Sequence, residues 1–264
     1  MDMTSLQLRH GAEPFLLDGG AVGCVCTHGF TAAPDEMLWL GEYLHARGLT
    51  VYAPRLAGHG TDPDMMRRQH WADWYEGVLD GIALLRARCR KVFAVGLSMG
   101  GLLSLLAASN GQVDGAVILA APLRVDEPLL PFAPIVKHFR RYTRKTDWPG
   151  KLDEQIREAQ RMMGREVYGR LAYDVIPTAS AWQLYRLMRV VRRRLDAITV
   201  PLLLIYSLKD GTVPYDNLAT ITDNVRSRDL VVHTLEQSDH VISQDVEREI
   251  VFEQVWQFLA ARLD

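Results

Sequence analysis

The sequence has little cysteine, no long apolar run and no excess of charge of either sign. Only three of its 264 residues are cysteines, Cys24, Cys26 and Cys89. Three thiols make no disulfide framework, and two of them stand at i, i+2 in an apolar run, where they read as buried thiols of one strand face. A reducing, cytoplasmic setting is the expectation. No apolar stretch approaches the roughly 18 residues that cross a bilayer, so stable membrane insertion is not expected. Residues 1–20 lack a basic segment followed by an apolar block, and no secretory signal is read there. Lys and Arg number 30 against 32 Asp and Glu, a formal net charge of −2. The basic field that grips nucleic acid is therefore missing, and no nucleic-acid partner is expected. H-E-x-x-H, a paired C-x-x-C, a Walker loop and G-x-G-x-x-G are absent too, so no metal or other cofactor is expected. Repeats and low-complexity tracts are lacking, and nothing sets an oligomeric state. What is left is an ordinary globular composition, 48% apolar and 23% charged. The length suits one large domain or one domain with an insertion.

The first half alternates β-rich runs with amphipathic stretches. PFLL (14–17), Asp18-Gly19-Gly20 and AVGCVCT (21–27) predict strand, tight turn, strand. Residues 34–48 predict a helix, with Pro34 in its first turn and Gly48 at its exit. LTVYAP (49–54) predicts a short strand. In WADWYEGVLDGIALLRARC (71–89), Trp71, Trp74, Tyr75, Val78, Leu79 and Ile82 share a helical face. KVFAVG (91–96), LLSLLAAS (102–109) and GAVILA (115–120) predict strand, helix, strand. This βαβαβ rhythm implies a mostly parallel sheet with helices on both faces. It breaks over residues 122–190, where prolines and amphipathic stretches predict a helical insertion without a convincing strand. It resumes with PLLLIYS (201–207), a helix near 215–224, the strand LVVHTLE (230–236) and a closing helix of about 245–263. That last helix places Ile250, Val251, Val255, Phe258 and Leu259 at helical spacing. The division expected is therefore a body of residues 1–121 and 191–264, interrupted by an insertion at 122–190.

Gly96-Leu97-Ser98-Met99-Gly100 fits G-x-S-x-G. The pattern is short, but it follows a β-run and opens an apolar helix, the strand–turn–helix setting that such a serine needs. A sharp turn between strand and helix leaves no room for bulky neighbours. It also lifts the serine hydroxyl to a helix N-terminus, where free N–H groups favour developing negative charge. The plainer alternative is a glycine turn with a structural serine.

A serine hydroxyl needs a base. Of the eight histidines only His233 and His240 lie late in the chain, where the order Ser…Asp/Glu…His places the base. His233 sits inside a strand pattern; His240 follows it in a loop and is the better candidate. An acid must orient the base. Asp210 follows the PLLLIYS strand, at the sheet edge where open α/β sites assemble. Asp239 and Asp216 stay open as alternatives. The two oxyanion donors are expected to be the backbone N–H groups of Met99, directly after the serine, and of Phe30, in the loop His28-Gly29-Phe30-Thr31. His28 reads as a tie for that loop.

His28-Gly29-Phe30, Pro54-Arg55-Leu56-Ala57-Gly58-His59-Gly60, Gly96 to Gly101, Asp210-Gly211-Thr212-Val213-Pro214 and Ser238-Asp239-His240-Val241 occur in this order. The set resembles the α/β-hydrolase fold and, within it, bacterial carboxylesterases and monoacylglycerol lipases with a small helical cap. The resemblance spans essentially the whole chain, most closely 22–121 and 200–264. It implies Ser98 as nucleophile, Asp210 as acid, His240 as base, and Phe30 and Met99 as oxyanion donors. The partner it implies is a small-molecule ester of short- to medium-chain acids, or a monoacylglycerol. The same triad could serve an amide, carbamate or thioester, and a non-catalytic binding protein on this fold is a remoter alternative. The Arg55–Gly60 segment reads as a structural loop. In the insertion, Leu129, Leu130, Phe132, Ile135, Val136 and Phe139 either receive an acyl chain or pack the cap onto the body. The basic residues His138, Arg140, Arg141, Arg144, Lys145 and Arg192-Arg193-Arg194 read as a solvated face.

Overall fold

The computed structural model describes residues 7–127, 130–146 and 149–263. Pro128 and Leu129 therefore lie outside the described residues. The body begins with β1 (Phe15–Leu17), β2 (Val22–Thr27), α1 (Leu38–His45), β3 (Thr50–Ala53), α2 (Pro63–Arg67), α3 (Trp71–Arg86), β4 (Lys91–Leu97), α4 (Met99–Ser109) and β5 (Gly115–Leu119). The chain then leaves the sheet through α5 (Ala133–Val136), β6 (Tyr142–Arg144), α6 (Gly150–Met162), β7 (Val175–Pro177) and α7 (Thr178–Arg192). It returns with β8 (Leu202–Ser207), α8 (Asn217–Thr222), β9 (Leu230–Leu235) and α9 (Arg248–Ala260).

Seven strands form one sheet in the order β1-β3-β2-β4-β5-β8-β9. All neighbours are parallel except β1, which runs antiparallel to β3. The central strands read as unbroken apolar runs because both faces are covered, and alternate residues enter different cores. Along β4, Val92 and Ala94 pack with Trp74, Val78 and Ile82 of α3 and the apolar residues of α4. Phe93, Val95 and Leu97 enter the opposite core with Leu40 and Leu44 of α1 and Val251, Val255 and Phe258 of α9. Cys24 and Cys26 are buried in that second core, as their i, i+2 spacing implies, while Cys89 belongs to the first; all three are free thiols.

The expected order of strand, turn and strand is present at β1 and β2, and β1 pairs with β3, as Phe15 opposite Ala53 and Leu17 opposite Val51. Two local expectations are corrected. The inserted segment is not purely helical, because β6 pairs antiparallel with β7, from Tyr142 opposite Pro177 to Arg144 opposite Val175. Strands of three residues are too short for alternation to register, and Pro177 argues against a strand by its type. Ile250 is 45% exposed, and Phe252 is buried in its place on the core face of α9.

Candidate active site

β4 and α4 meet at Ser98, the residue between them. Its backbone adopts φ 55°, ψ −116°, a left-handed conformation that costs a non-glycine residue about 1–3 kcal/mol. The turn is held from below, since Ser98 N–H donates to Leu119 O at 2.7 Å and Leu102 N–H donates to Ser98 O at 3.1 Å. The flanking glycines are steric necessities. A Cβ on Gly96 would lie 2.1 Å from Gly100 O, and one on Gly100 would lie 2.0 Å from Thr27 O. Gly100→Ala must push β2 away from α4, and a loss of at least about 3 kcal/mol of unfolding free energy is expected. Chemical denaturation against the parent protein checks it; a loss below about 1 kcal/mol would mean that the two backbones separate freely.

His240 lies in the loop after β9. Its Nε2 is 2.8 Å from Ser98 Oγ, and its Nδ1 is 2.8 Å from Asp210 Oδ2. The loop is built from carboxylates that the motif reading missed. Glu247, at the N-cap of α9, accepts N–H groups of Glu236 (3.2 Å), Gln237 (2.9 Å) and Ser238 (2.7 Å) and the Ser238 hydroxyl (2.9 Å). Asp245 Oδ2 accepts Asp239 N–H at 2.7 Å. The Ser207 hydroxyl donates to Ser238 O, tying the end of β8 to the same loop. Glu247 carries no local signal, because its partners stand nine to eleven residues earlier.

The Asp210 side chain is buried, its Oδ1 accepting Thr212 N–H and Val213 N–H at 2.8 Å each. Burial is the largest single influence on this carboxyl and raises its pKa. The charge of His240, its hydrogen bond and the two backbone N–H groups together outweigh burial, and the pKa ends below the ordinary carboxylate value. Of the alternatives, Asp239 Oδ1 accepts Gly211 N–H (2.9 Å) and His240 N–H (2.8 Å), so it braces the two loops against each other. Asp216 pairs with Arg124 at 2.8 Å. His233 stays on β9 and makes none of these hydrogen bonds.

Met99 opens α4, so its N–H has no carbonyl four residues earlier within the helix. Phe30 N–H meets no acceptor among the described residues. The Phe30 ring packs edge-on against Trp74, with centroids 5.8 Å apart. His28 is buried and held neutral, its pKa pushed down to about 4 mainly by burial. Its Nδ1 donates to Gly29 O at 2.9 Å and its Nε2 accepts Leu56 N–H at 3.3 Å, so it ties two loops together. His59 packs beside it, ring centroids 4.9 Å apart. Arg55 donates to His59 O at 2.8 Å, within the loop that reads as structural.

Between β5 and β8, Phe132 and Ile135 are exposed and Phe139 is 89% exposed. Leu130 instead lines a cavity of about 410 Å³ with Leu123, Val125, Met188 and a rim that includes Arg189 and Arg192. His138, Arg140, Arg141 and Arg144 are exposed, but Lys145 is not. Its Nζ donates to Thr31 Oγ1 at 2.8 Å, and its pKa is pushed down to about 7, by burial first and by Arg170 second, against Glu36 and Asp174. The unfolded chain therefore holds this proton up to about pH 10.4 while the folded chain releases it near 7. The burial penalty is fully present below 7 and is relieved as pH rises through that window. The melting temperature of the parent relative to Lys145→Met should thus rise between pH 7 and 10. A flat or falling difference would show that Lys145 is not desolvated.

A seven-stranded, mostly parallel sheet with a serine elbow after its fourth strand defines an α/β-hydrolase. The model of the family described as serine aminopeptidase, S33, matches residues 22–247, and the chain belongs to that family. It is 36% identical over 95% of both chains to the thermostable monoacylglycerol lipase of Bacillus sp. (strain H-257). It is 29% identical to the carboxylesterase of Bacillus subtilis (strain 168), covering 94% of this chain and 96% of that one. A solved structure from work on the metagenome-derived lipolytic enzymes LipS and LipT superposes with a TM-score of 0.87 at 30% identity, over 97% of this chain and 100% of that one. Among the described residues, no helix is long and apolar enough to cross a membrane.

Proposed function

We propose that the protein is a serine hydrolase that cleaves carboxylic esters, with short- to medium-chain acyl esters or monoacylglycerols as substrates. The observation that carries this reading is His240, poised at 2.8 Å from both Ser98 Oγ and Asp210 Oδ2. Its relatives named for lipase and esterase activity support the choice of bond. In this mechanism Ser98 Oγ attacks the ester carbonyl carbon while His240 Nε2 takes the hydroxyl proton. The carbonyl oxygen becomes an oxyanion facing the N–H groups of Met99 and Phe30. Collapse breaks the bond to the alcohol oxygen, which leaves with the proton from His240 and gives an acyl-enzyme at Ser98. Water, deprotonated by His240, then releases the acid and restores the hydroxyl. Asp210 stays ionised, holds the proton of His240 Nδ1 and stabilises the imidazolium.

Residues 122–190 form the cap in this reading. The three buried thiols, none paired, support a cytoplasmic setting. Hydrolysis of p-nitrophenyl esters and monoacylglycerols across a series of acyl lengths tests the proposal. Turnover that peaks at short or medium chains is expected, and absence of turnover on every ester would overturn it. A second reading, amide cleavage, has one point in its favour: the family is described by an aminopeptidase. A matched anilide hydrolysed as fast as the ester would favour it.

A further inference from the structure

Glu36 is a buried carboxylate that the mechanism above leaves unused. It stands in the 3-10 turn Pro34–Met37, directly after the loop that carries Phe30, and is only 5% exposed. Its Oε2 accepts Gly29 N–H at 2.7 Å. The carbonyl of the same residue, Gly29 O, accepts from His28 Nδ1 at 2.9 Å and from Ala32 N–H at 3.3 Å. The peptide unit between Gly29 and Phe30 is planar, so its carbonyl and the Phe30 N–H point in opposite directions. Gripping Gly29 at both N–H and C=O therefore fixes where Phe30 N–H points. The next residue is held from the insertion. Thr31 (φ 66°) accepts Tyr173 N–H on its carbonyl at 3.0 Å and Lys145 Nζ on its hydroxyl at 2.8 Å.

Burying a carboxylate is unfavourable unless charge and hydrogen bonds offset it. Burial pushes the Glu36 pKa up; the charge of Arg170, the Gly29 N–H, His240 and Lys145 act the other way. Burial prevails and the pKa stays above the ordinary carboxylate value, while the group's hydrogen bond goes to the loop facing Ser98.

We propose that Glu36 is a positioning residue of the oxyanion hole, orienting Phe30 N–H by holding Gly29 N–H, with Lys145 and Tyr173 of the insertion holding Thr31 in the same loop. This inference rests on the reading of Phe30 as an oxyanion donor. Losing an oxyanion donor outright costs about 10²–10³ in rate, and letting one wander should cost about 10–10².

The test compares Glu36→Ala and Glu36→Gln with the parent in kcat, KM and affinity for a trifluoromethyl ketone, which forms a tetrahedral adduct with an active serine. Glu36→Ala is expected to lower kcat by about 10–100-fold, to leave KM within about threefold and to weaken the ketone in parallel with kcat/KM. Glu36→Gln keeps an oxygen that can accept the same N–H and should recover most of the loss. Parental kcat and ketone affinity in Glu36→Ala would overturn the inference, as would a Gln variant no better than the Ala variant. Should Glu36→Ala not fold, Glu36→Asp, whose carboxylate falls one methylene short of Gly29, takes its place with the same expected and overturning results. A parent protein without ester turnover would instead overturn the functional reading itself, which keeps the two failures apart.

Discussion

Ser98→Ala is expected to fold like the parent and to lose ester hydrolysis by about 10⁴–10⁶ in kcat. The hydroxyl it removes is the one 2.8 Å from His240 Nε2, and among the described residues no other hydroxyl or thiol hydrogen-bonds to that nitrogen. Residual turnover should come from the N–H groups of Met99 and Phe30 and from substrate binding alone, which elsewhere leaves about 10³–10⁴ over the uncatalysed rate. Alanine meets the same left-handed backbone as serine, so the melting temperature should barely change. Steady-state kinetics with a p-nitrophenyl ester and a thermal melt check both halves. Retained turnover in a folded variant would remove Ser98 from the mechanism.

Asp210→Asn should lower kcat by about 10⁴ without unfolding the protein, and the geometry says why. Oδ1 of residue 210 accepts two backbone N–H groups, from Thr212 and Val213, so the asparagine oxygen stays on that side. Its NH₂ then faces His240 Nδ1, where Oδ2 now stands at 2.8 Å. The imidazole must accept there, which moves its proton to Nε2, pointed at Ser98. A ring protonated at Nε2 cannot take the serine proton. The same substitution has a stability signature. The folded pKa of Asp210 is depressed, so its contribution is present above the unfolded carboxylate pKa and is lost as pH falls through the folded value. Asp210→Asn should remove that part of the acid limb of the stability curve. Asp239→Asn, which touches only backbone N–H groups of Gly211 and His240, should cost less than about tenfold. If the two variants exchanged these effects, Asp239 would be the acid.

The parts of the proposed site that were legible in the sequence are those whose chemistry is local. Ser98 could be read because the close approach of Gly100 to Thr27 O and of Gly96 to Gly100 O forces glycine at fixed spacing around it. Asp210 and His240 could be read because each follows a recognisable strand at the edge where helices and loops meet. Glu36, Glu247 and Lys145 could not. The bonds of Glu36 and Glu247 span seven to eleven residues of loop, and that of Lys145 reaches Thr31, 114 residues away. In sequence each is one more surface-type charge. The break in β/α rhythm after β5 was legible, but the elements between β5 and β8 were not. Periodicity does not register strands as short as Tyr142–Arg144, and apolarity alone does not tell a buried Leu123 from the exposed Phe139. The pairing of β1 with β3 was equally hidden, since the two strands are not neighbours in sequence and their pairing leaves no local mark.

The nucleophilic role of Ser98 is tested most directly by titrating the folded protein with a fluorophosphonate and following intact mass, peptide mass and ester turnover together. A nucleophilic Ser98 takes up one adduct per chain, on the peptide that contains it, and turnover falls in proportion. Full modification of Ser98 with turnover undiminished, or loss of turnover with the adduct on another residue, would contradict it.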